Sequence, residues 1–332
     1  MNPHQPKPPF LRPSGLALAL ILLASLLGRP SRAAEFDTNL FHVGFTRTLF
    51  TEINESDAKA AVKAWVEIVA KGHDIPVNPD SRIFQTTSEL LQALQDKQVD
   101  AVGISAVEYA AAIQTVPLAP IYVTYHDGES RDQYLVLVRR DSHLDHLTDL
   151  RGRNLALHSQ ARTCMALPWL DTELIQAGAK PATEWLGKIT QYQKISQVVL
   201  PVFFHKCDVC VADRAEFAIM CELNPQIGQQ LKIIARSPEM VTAIFCFRAE
   251  YKSEFEAKIF AGLEDLNKTP AGQQMLTVFQ SDRTAVEPAS CMDSALAILA
   301  ARAQLVARAS ATNASAFLPP AGALQTAGGA NP

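Results

Sequence analysis

The stretch D-L-R-G-R-N-L-A-L-H-S-Q-A-R-T, residues 149–163, decides the fold that we predict for this chain. Residues 151–153 predict a turn, 154–157 a short apolar strand, and 158–163 a polar crossing into an amphipathic helix over 164–177. Such a crossing presents backbone N–H groups and the positive end of a helix dipole to one point, which suits an anion. We therefore expect an anion site at the start of this helix.

Strands and helices alternate on both sides of this stretch. The other expected strands or extended segments are 39–45, 75–84, 99–104, 116–125, 134–139, 207–212, 231–235 and 241–247. The other expected helices are 57–71, 88–97, one opening at 105, 189–204 with an interruption at Pro201, 215–221, 255–266, 271–279 and 292–309. Alternation of this kind predicts mainly parallel sheets covered by helices on both faces, with ligands outside the carboxyl ends of the strands.

Two extended segments divide the chain into two expected lobes. Residues 116–125 contain Pro117 and Pro120, which restrict the backbone and suit a crossover between lobes. Residues 236–239 are the expected return crossing. The lobes are then 35–122 together with 240–309, and 123–239.

The two ends of the chain are expected to lie outside the fold. Two basic residues precede an uncharged run over 16–27, and S-R-A-A at 31–34 offers small residues for cleavage of a secretory signal. About twelve apolar residues are too few to cross a bilayer, which takes about twenty. We expect 1–34 to be removed and the mature protein to lie in the periplasm. Residues 310–332 have no charge and are rich in Ala, Gly and Pro, which predicts disorder.

Charge and motifs exclude several classes of function. Loss of 1–34 removes four basic and no acidic residues, which changes the formal net charge from −4 to −8. An acidic protein is a poor partner for nucleic acid, although a local site can still hold a small anion. The sequence contains no G-x-x-x-x-G-K-[ST], no G-x-G-x-x-G and no G-x-S-x-G motif. We expect no cofactor and no catalytic site.

The six cysteines leave disulfides open in an exported chain. Cys207 and Cys210 form a C-x-x-C, a spacing used in redox and metal chemistry. Residues three apart in a strand point to opposite faces, which disfavours one metal or one disulfide shared by the two. We interpret them as small buried strand residues, each still able to pair with a distant cysteine such as Cys221 or Cys246. No metal is expected.

An ordered series of segments gives the chain a family resemblance. The segments are V-G-F-T-R at 43–47, V-D-A-V-G-I-S-A-V-E-Y at 99–109, D-L-R-G-R-N-L-A-L at 149–157, C-D-V-C-V-A-D at 207–213 and A-R-S-P-E at 235–239. In this order they resemble the periplasmic phosphate, phosphite and phosphonate binding proteins of ABC importers, which are type 2 periplasmic binding proteins. The resemblance covers roughly residues 39–280. It implies a two-lobed α/β fold, each lobe a mainly parallel sheet flanked by helices, with two crossover strands as the hinge.

The resemblance also implies how a ligand is held. Hydroxyl groups of Ser and Thr and backbone N–H groups at helix starts bind an oxyanion, and acids in the cleft meet a ligand amine. The corresponding residues in this chain are Thr46, Arg47, Ser105, Tyr125, His158, Ser159, Arg162, Thr163 and Asp213. Ser, Thr and Asp at helix starts also serve as ordinary N-caps, so that interpretation stays open. The helix start at 160–163 departs from the family pattern, because it is bulkier and cationic.

These expectations describe a binding protein. We expect an exported, monomeric solute-binding protein that captures a small oxyanion, of the phosphonate, phosphite or phosphate type, between its lobes. It would deliver this ligand to an ABC permease in the inner membrane. Two alternatives remain: the same fold could serve a membrane sensor kinase, or, more remotely, an enzyme.

Overall fold

The computed structural model describes residues 40–51, 53–78, 81–279 and 281–316. The expected signal peptide at 1–34 and residues 317–332 of the expected tail lie outside the described residues.

Eleven strands are found in the described residues, and they form two sheets. In chain order the strands are β1 (Val43–Thr46), β2 (Arg82–Phe84), β3 (Ala101–Ser105), β4 (Leu118–Tyr125), β5 (Tyr134–Arg139), β6 (Leu155–His158), β7 (Ile189–Tyr192), β8 (Val209–Asp213), β9 (Leu231–Arg236), β10 (Ala243–Arg248) and β11 (Arg283–Glu287). The first sheet has the order β11-β4-β10-β3-β1-β2, and the second has the order β7-β6-β8-β5-β9.

The described residues also form eleven α-helices, several of which begin at a side chain that caps backbone N–H groups. Asn54, Thr86, Ser105 and Asp213 each accept such a bond, and these are residue types that favour helix starts. The helices are α1 (Glu55–Lys71), α2 (Thr87–Gln95), α3 (Ala106–Ala112), α4 (Ala166–Gln176), α5 (Ala182–Trp185), α6 (Ile195–Phe203), α7 (Arg214–Leu223), α8 (Pro225–Gln230), α9 (Glu256–Glu264), α10 (Pro270–Val278) and α11 (Asp293–Ala316).

Both sheets mix parallel and antiparallel pairs. β1 is parallel to β2 and β3, and β6 is parallel to β7 and β8, as strand-helix-strand units require. The strands on either side of each passage between the sheets, β4, β5, β9 and β10, pair antiparallel. The predicted two-lobed α/β fold is therefore confirmed, with sheets that are less uniformly parallel than expected.

The chain passes between the two sheets twice, and the two crossing segments, 126–133 and 237–242, contact each other. The backbone N–H of Asp132 donates to the carbonyl of Met240 at 2.8 Å, and that of Met240 donates back to Asp132 at 3.0 Å. β4 continues to Tyr125 in the first sheet, so the lobe boundary that we expected after residue 122 falls inside a strand. A pair of adjacent crossings is the geometry of a hinge.

The buried core has three parts. One cluster lies in the first lobe, where α1 and α9 pack on the sheet, and a second lies in the second lobe, around Val198 and Cys210. The largest cluster runs without interruption from Ile104 in the first sheet to Trp169 on α4 beside the second. Each large apolar side chain buried in this way stabilises the fold by roughly 1.5–3 kcal/mol.

The C-terminal helix α11 contacts both lobes, packing against α3 of the first and α4 of the second. Arg302 on α11 forms an ion pair with Asp171 on α4, with Nη2 and Oδ2 2.7 Å apart. The stretch Ala289–Arg308 is long and apolar enough to cross a membrane by length and composition, yet Ala295 within it is fully buried against the protein. In the described residues α11 continues to Ala316, past residue 310, where we expected the tail to begin.

The helix that we expected over 189–204 is confirmed only over Ile195–Phe203. Ile189–Tyr192 is an edge strand that pairs in parallel with β6, and the helix begins only at Ile195. Pro201 lies inside this helix, near its end. The strand segment I-T-Q-Y is short and half-buried, so its side chains show neither helical nor strand periodicity clearly.

Candidate ligand-binding site

A cavity of about 250 Å³ lies between the two sheets. The first lobe contributes residues at and after the ends of β1 and β4 and at the start of β10, and the second lobe contributes Gln160, Ala161 and Arg162. The two crossing segments add Asp132 and Thr242. This position corresponds to the crevice where open α/β sheets bind their ligands.

The first-lobe side of the cavity is an aromatic wall. Neighbouring rings are in contact, with centroids 4.9 Å apart for Trp65 and Phe245 and 5.8 Å apart for Phe45 and Phe245. Gly103 on β3 makes room for this arrangement, because a Cβ there would lie 2.3 Å from Cδ1 of Phe45. The aromatic wall consists of Phe45, Phe50, Trp65, Phe245 and Phe279.

The opposite side carries a buried ion pair, Asp132 with Arg162. Both Nε and Nη2 of Arg162 donate to Oδ1 of Asp132, the former at 2.7 Å, and the hydroxyl of Thr242 donates to Oδ2. Asp132 is only 4% exposed, and this burial raises the pKa of its carboxyl group, which the guanidinium of Arg162 offsets only in part. Arg162 is the only Arg or Lys among the described residues that line the cavity.

In the first lobe, the hydroxyl groups that we expected to bind a ligand donate to the buried carboxylate of Glu108. Oε2 of Glu108 accepts from the hydroxyl of Thr46 at 2.8 Å and from both the backbone N–H and the hydroxyl of Ser105 at 2.9 and 2.8 Å. Thr48 donates to Oε1 at 2.9 Å. Glu108 is 5% exposed, so its carboxylate is a buried acceptor for these hydroxyl groups.

A second carboxylate, that of Glu216, contacts side chains at and after the end of β6. Nδ1 of His158 lies 2.9 Å from Oε2 of Glu216, and Nε2 of Gln160 donates to Oε1 at 3.0 Å. The hydroxyl of Thr163 donates to the carbonyl of His158 at 2.7 Å. The backbone N–H of Ser159 donates to the backbone carbonyl of Tyr192 at 2.8 Å.

The helix start that we expected at 163–164 is built differently. A single 3-10 turn, Ala161–Thr163, precedes α4, which begins at Ala166 without a side-chain cap. The dipole of α4 therefore does not begin at Thr163. The turn instead directs Arg162 into the cavity.

The other three predicted residues have defined partners. Arg47 donates to the carbonyl groups of Phe50 and Ile53, and so holds the loop after β1 in place. Asp213 caps α7 by accepting from two backbone N–H groups at 2.9 and 3.2 Å. Tyr125 lines the cavity, with the guanidinium of Arg283 3.6 Å from the centre of its ring.

Of the nine predicted residues, Tyr125 and Arg162 line the cavity, while the others lie outside its lining. The sequence analysis missed the aromatic wall, whose members are far apart in the chain, and also Asp132 and Thr242. One signal was readable: Ser105 and Glu108 form an S-x-x-E capping box, which already assigns both side chains to each other.

All six cysteines are free, so the disulfides left open by the sequence do not form. Cys210 is a buried residue of β8, as expected, whereas Cys207 precedes the strand and is partly exposed. Burial raises the pKa of Cys164 to about 12 and that of Cys291 to about 11. These thiols are poor nucleophiles at neutral pH.

Comparisons with known proteins agree with this architecture. A family model described as "ABC transporter, phosphonate, periplasmic substrate-binding protein" matches residues 48–294. No curated protein matches the chain.

Several solved structures are similar. XAC2383 from Xanthomonas citri bound to ATP has a TM-score of 0.59 at 17% identity, covering 81% of this chain and 99% of that one. PhnD1 from Prochlorococcus marinus in complex with methylphosphonate has a TM-score of 0.54 at 14% identity, covering 78% and 97%. A binding protein component of a phosphonate ABC transporter from Pseudomonas aeruginosa has a TM-score of 0.52 at 13% identity, covering 85% and 100%. At these identities the likeness concerns the fold.

Proposed function

Because the chain belongs to the family of periplasmic substrate-binding proteins of phosphonate ABC transporters, we propose that its cavity holds a phosphonate-type oxyanion. The match of the family model to residues 48–294 confirms the family resemblance found in the sequence. The chain is the substrate-binding component of an importer and not an enzyme. The observation that carries the ligand proposal is Arg162, a cation at a cavity lined by both lobes.

Arg162 is suited to bind the head group of the ligand. Its Nε and Nη2 are occupied by Asp132, while Nη1 makes no hydrogen bond to a described residue. Asp132 fixes the guanidinium in one orientation, which lowers the entropy lost when a ligand binds. Charge-assisted hydrogen bonds from a guanidinium to phosphonate oxygens are about twice as strong as neutral ones.

Binding is proposed to close the two lobes about the crossing segments 126–133 and 237–242. The hydrogen bonds between Asp132 and Met240 keep these segments together during such a movement. The closed form would be the one that an ABC permease recognises. We further propose that 1–34 is a cleaved signal peptide and that the mature protein acts in the periplasm as a monomer.

Isothermal titration with methylphosphonate, phosphite and phosphate tests this function. We expect saturable binding of at least one of these anions and a rise in melting temperature that follows the occupancy of the site. Sodium chloride at matched ionic strength is the control for general salt effects. If none of the three binds and none raises the melting temperature, the proposed ligand class is wrong.

A further inference from the structure

The cavity is much larger than a small tetrahedral anion requires. It measures about 250 Å³, whereas one water molecule needs only about 10–15 Å³ of such space. An anion bound at Arg162 alone would leave most of this volume to solvent. Water beside an apolar wall is unfavourable, so the remaining space favours an apolar part of a ligand.

The wall across from Arg162 is apolar for a specific reason. Thr46 and Ser105 end β1 and β3, and Thr48 follows β1, where their hydroxyl groups could have faced a ligand, but they donate to Glu108. The faces of the aromatic rings line the cavity in their place. These hydroxyl groups are therefore hydrogen-bonded to Glu108. The surface that the first lobe presents to the cavity is mainly apolar.

We infer that the cavity takes a phosphonate that carries a ring-sized apolar substituent. The phosphonate group binds Arg162 in the second lobe, and the substituent packs against the aromatic wall of the first lobe, beside Trp65 and Phe245. The inference rests on the proposed function for the head group. It adds the chemical class of the substituent, which distinguishes this ligand from methylphosphonate or inorganic phosphate.

Titration with phenylphosphonate and methylphosphonate, two compounds that differ only in this substituent, tests the inference. We expect phenylphosphonate to bind at least about tenfold more tightly, because its ring is removed from water. We also expect it to change the tryptophan fluorescence, and the change should be absent in Trp65→Phe. Equal affinities, or tighter binding of methylphosphonate, would overturn the inference and leave the proposed function intact. Binding of neither compound would overturn the inference, and the proposed function would fall with it only if phosphite and phosphate also fail to bind.

A cavity-filling variant locates the substituent. Ala243 lines the cavity, so Ala243→Phe adds a ring where the substituent is expected, and Ala300→Phe on the exposed side of α11 is the matched control. Ala243→Phe should weaken phenylphosphonate at least about tenfold and methylphosphonate less than about threefold. Should Ala243→Phe not fold, Phe245→Leu, which shrinks the wall, should reduce the preference for the phenyl compound. An unchanged preference in a folded variant would refute the assigned location.

Discussion

The hydroxyl of Thr46 lies 2.8 Å from Oε2 of Glu108, although 62 residues separate the two in sequence. The same oxygen accepts from Ser105, so one buried carboxylate ties the end of β1 to the start of α3. A carboxylate of the protein thus occupies a position in which related chemistry would hold a ligand anion. The aromatic wall and Arg162, which line the cavity, are the groups that we propose to bind the ligand.

Glu108→Gln should destabilise the protein. A glutamine amide has one oxygen and one NH₂ group, so at least one of the donors that face Glu108 would lose its acceptor. Leaving a buried donor unsatisfied costs about 1–3 kcal/mol. Urea unfolding measures this change, and Glu67→Gln on the exposed side of α1 should stay within about 0.5 kcal/mol of the parent. Equal effects of the two substitutions would show that the network around Glu108 adds no stability.

Arg162→Ala should weaken phosphonate binding at least tenfold, roughly the value of one charge-assisted contact. It should also lower stability, because Asp132 then remains buried without its partner. The double variant Arg162→Met with Asp132→Asn removes both charges and should recover stability but not binding. Titration and thermal unfolding separate the two effects, and Arg151→Ala, a cation that stacks on Trp185 away from the cavity, is the control. Unchanged affinity in Arg162→Ala would exclude this residue as the anchor.

Gly103→Ala should displace Phe45 and disturb the aromatic wall. A methyl group at this position would lie 2.3 Å from the ring, and overpacking of this kind costs about 1–3 kcal/mol. Gly72→Ala at the end of α1 meets no atom within 4 Å and has a φ of −81°, so it should be neutral or slightly stabilising. Thermal unfolding measures the melting temperatures of Gly103→Ala and Gly72→Ala against that of the parent protein. Similar melting temperatures for both variants would contradict the tight contact at Gly103.

Thiol labelling should follow burial and pH. At pH 8 a thiol with the pKa of about 12 found for Cys164 is ionised in only about one molecule in ten thousand. Its reaction with a disulfide reagent should therefore be very slow in the native protein and should accelerate as the pH rises. Cys164, Cys207 and Cys221 are all partly exposed, and burial raises the pKa of Cys164 strongly, so Cys207 and Cys221 should react first. All six cysteines should react in guanidinium chloride without a reductant, and a smaller number would reveal a disulfide.

The sequence predicted well those parts of the fold that are set by local pattern. The strand 134–139 is β5, the helix 57–71 is nearly all of α1, and Asp213 is followed by α7 as expected. The strand is a short continuous apolar run, and the two helices begin at the capping residues Asn54 and Asp213, so each signal lies within one short window. The edge strand β7 was missed because its four residues have no such pattern of their own and are ordered by pairing with β6.

The candidate site was harder to predict because it depends on contacts between distant segments. The family resemblance pointed to Arg162 beside a helix start and to Tyr125 at the crossover, and both line the cavity. Phe45, Phe245 and Phe279 look like ordinary core residues in the sequence, and they form the aromatic wall only when the ends of β1 and β10 meet α10 and the loop after it. Neither composition nor spacing contains that information.

The position of α11 limits how the cleft can open. This helix is attached to α4 of the second lobe by Arg302 and Asp171, and it also rests on α3 of the first lobe. Four of the seven residues of α3 are alanines, which present a smooth surface. In the closure that we propose, α11 would move with the second lobe, to which Arg302 attaches it, and its contact with α3 would shift. The C-terminal helix would thus couple the angle between the lobes to its own contact with α3.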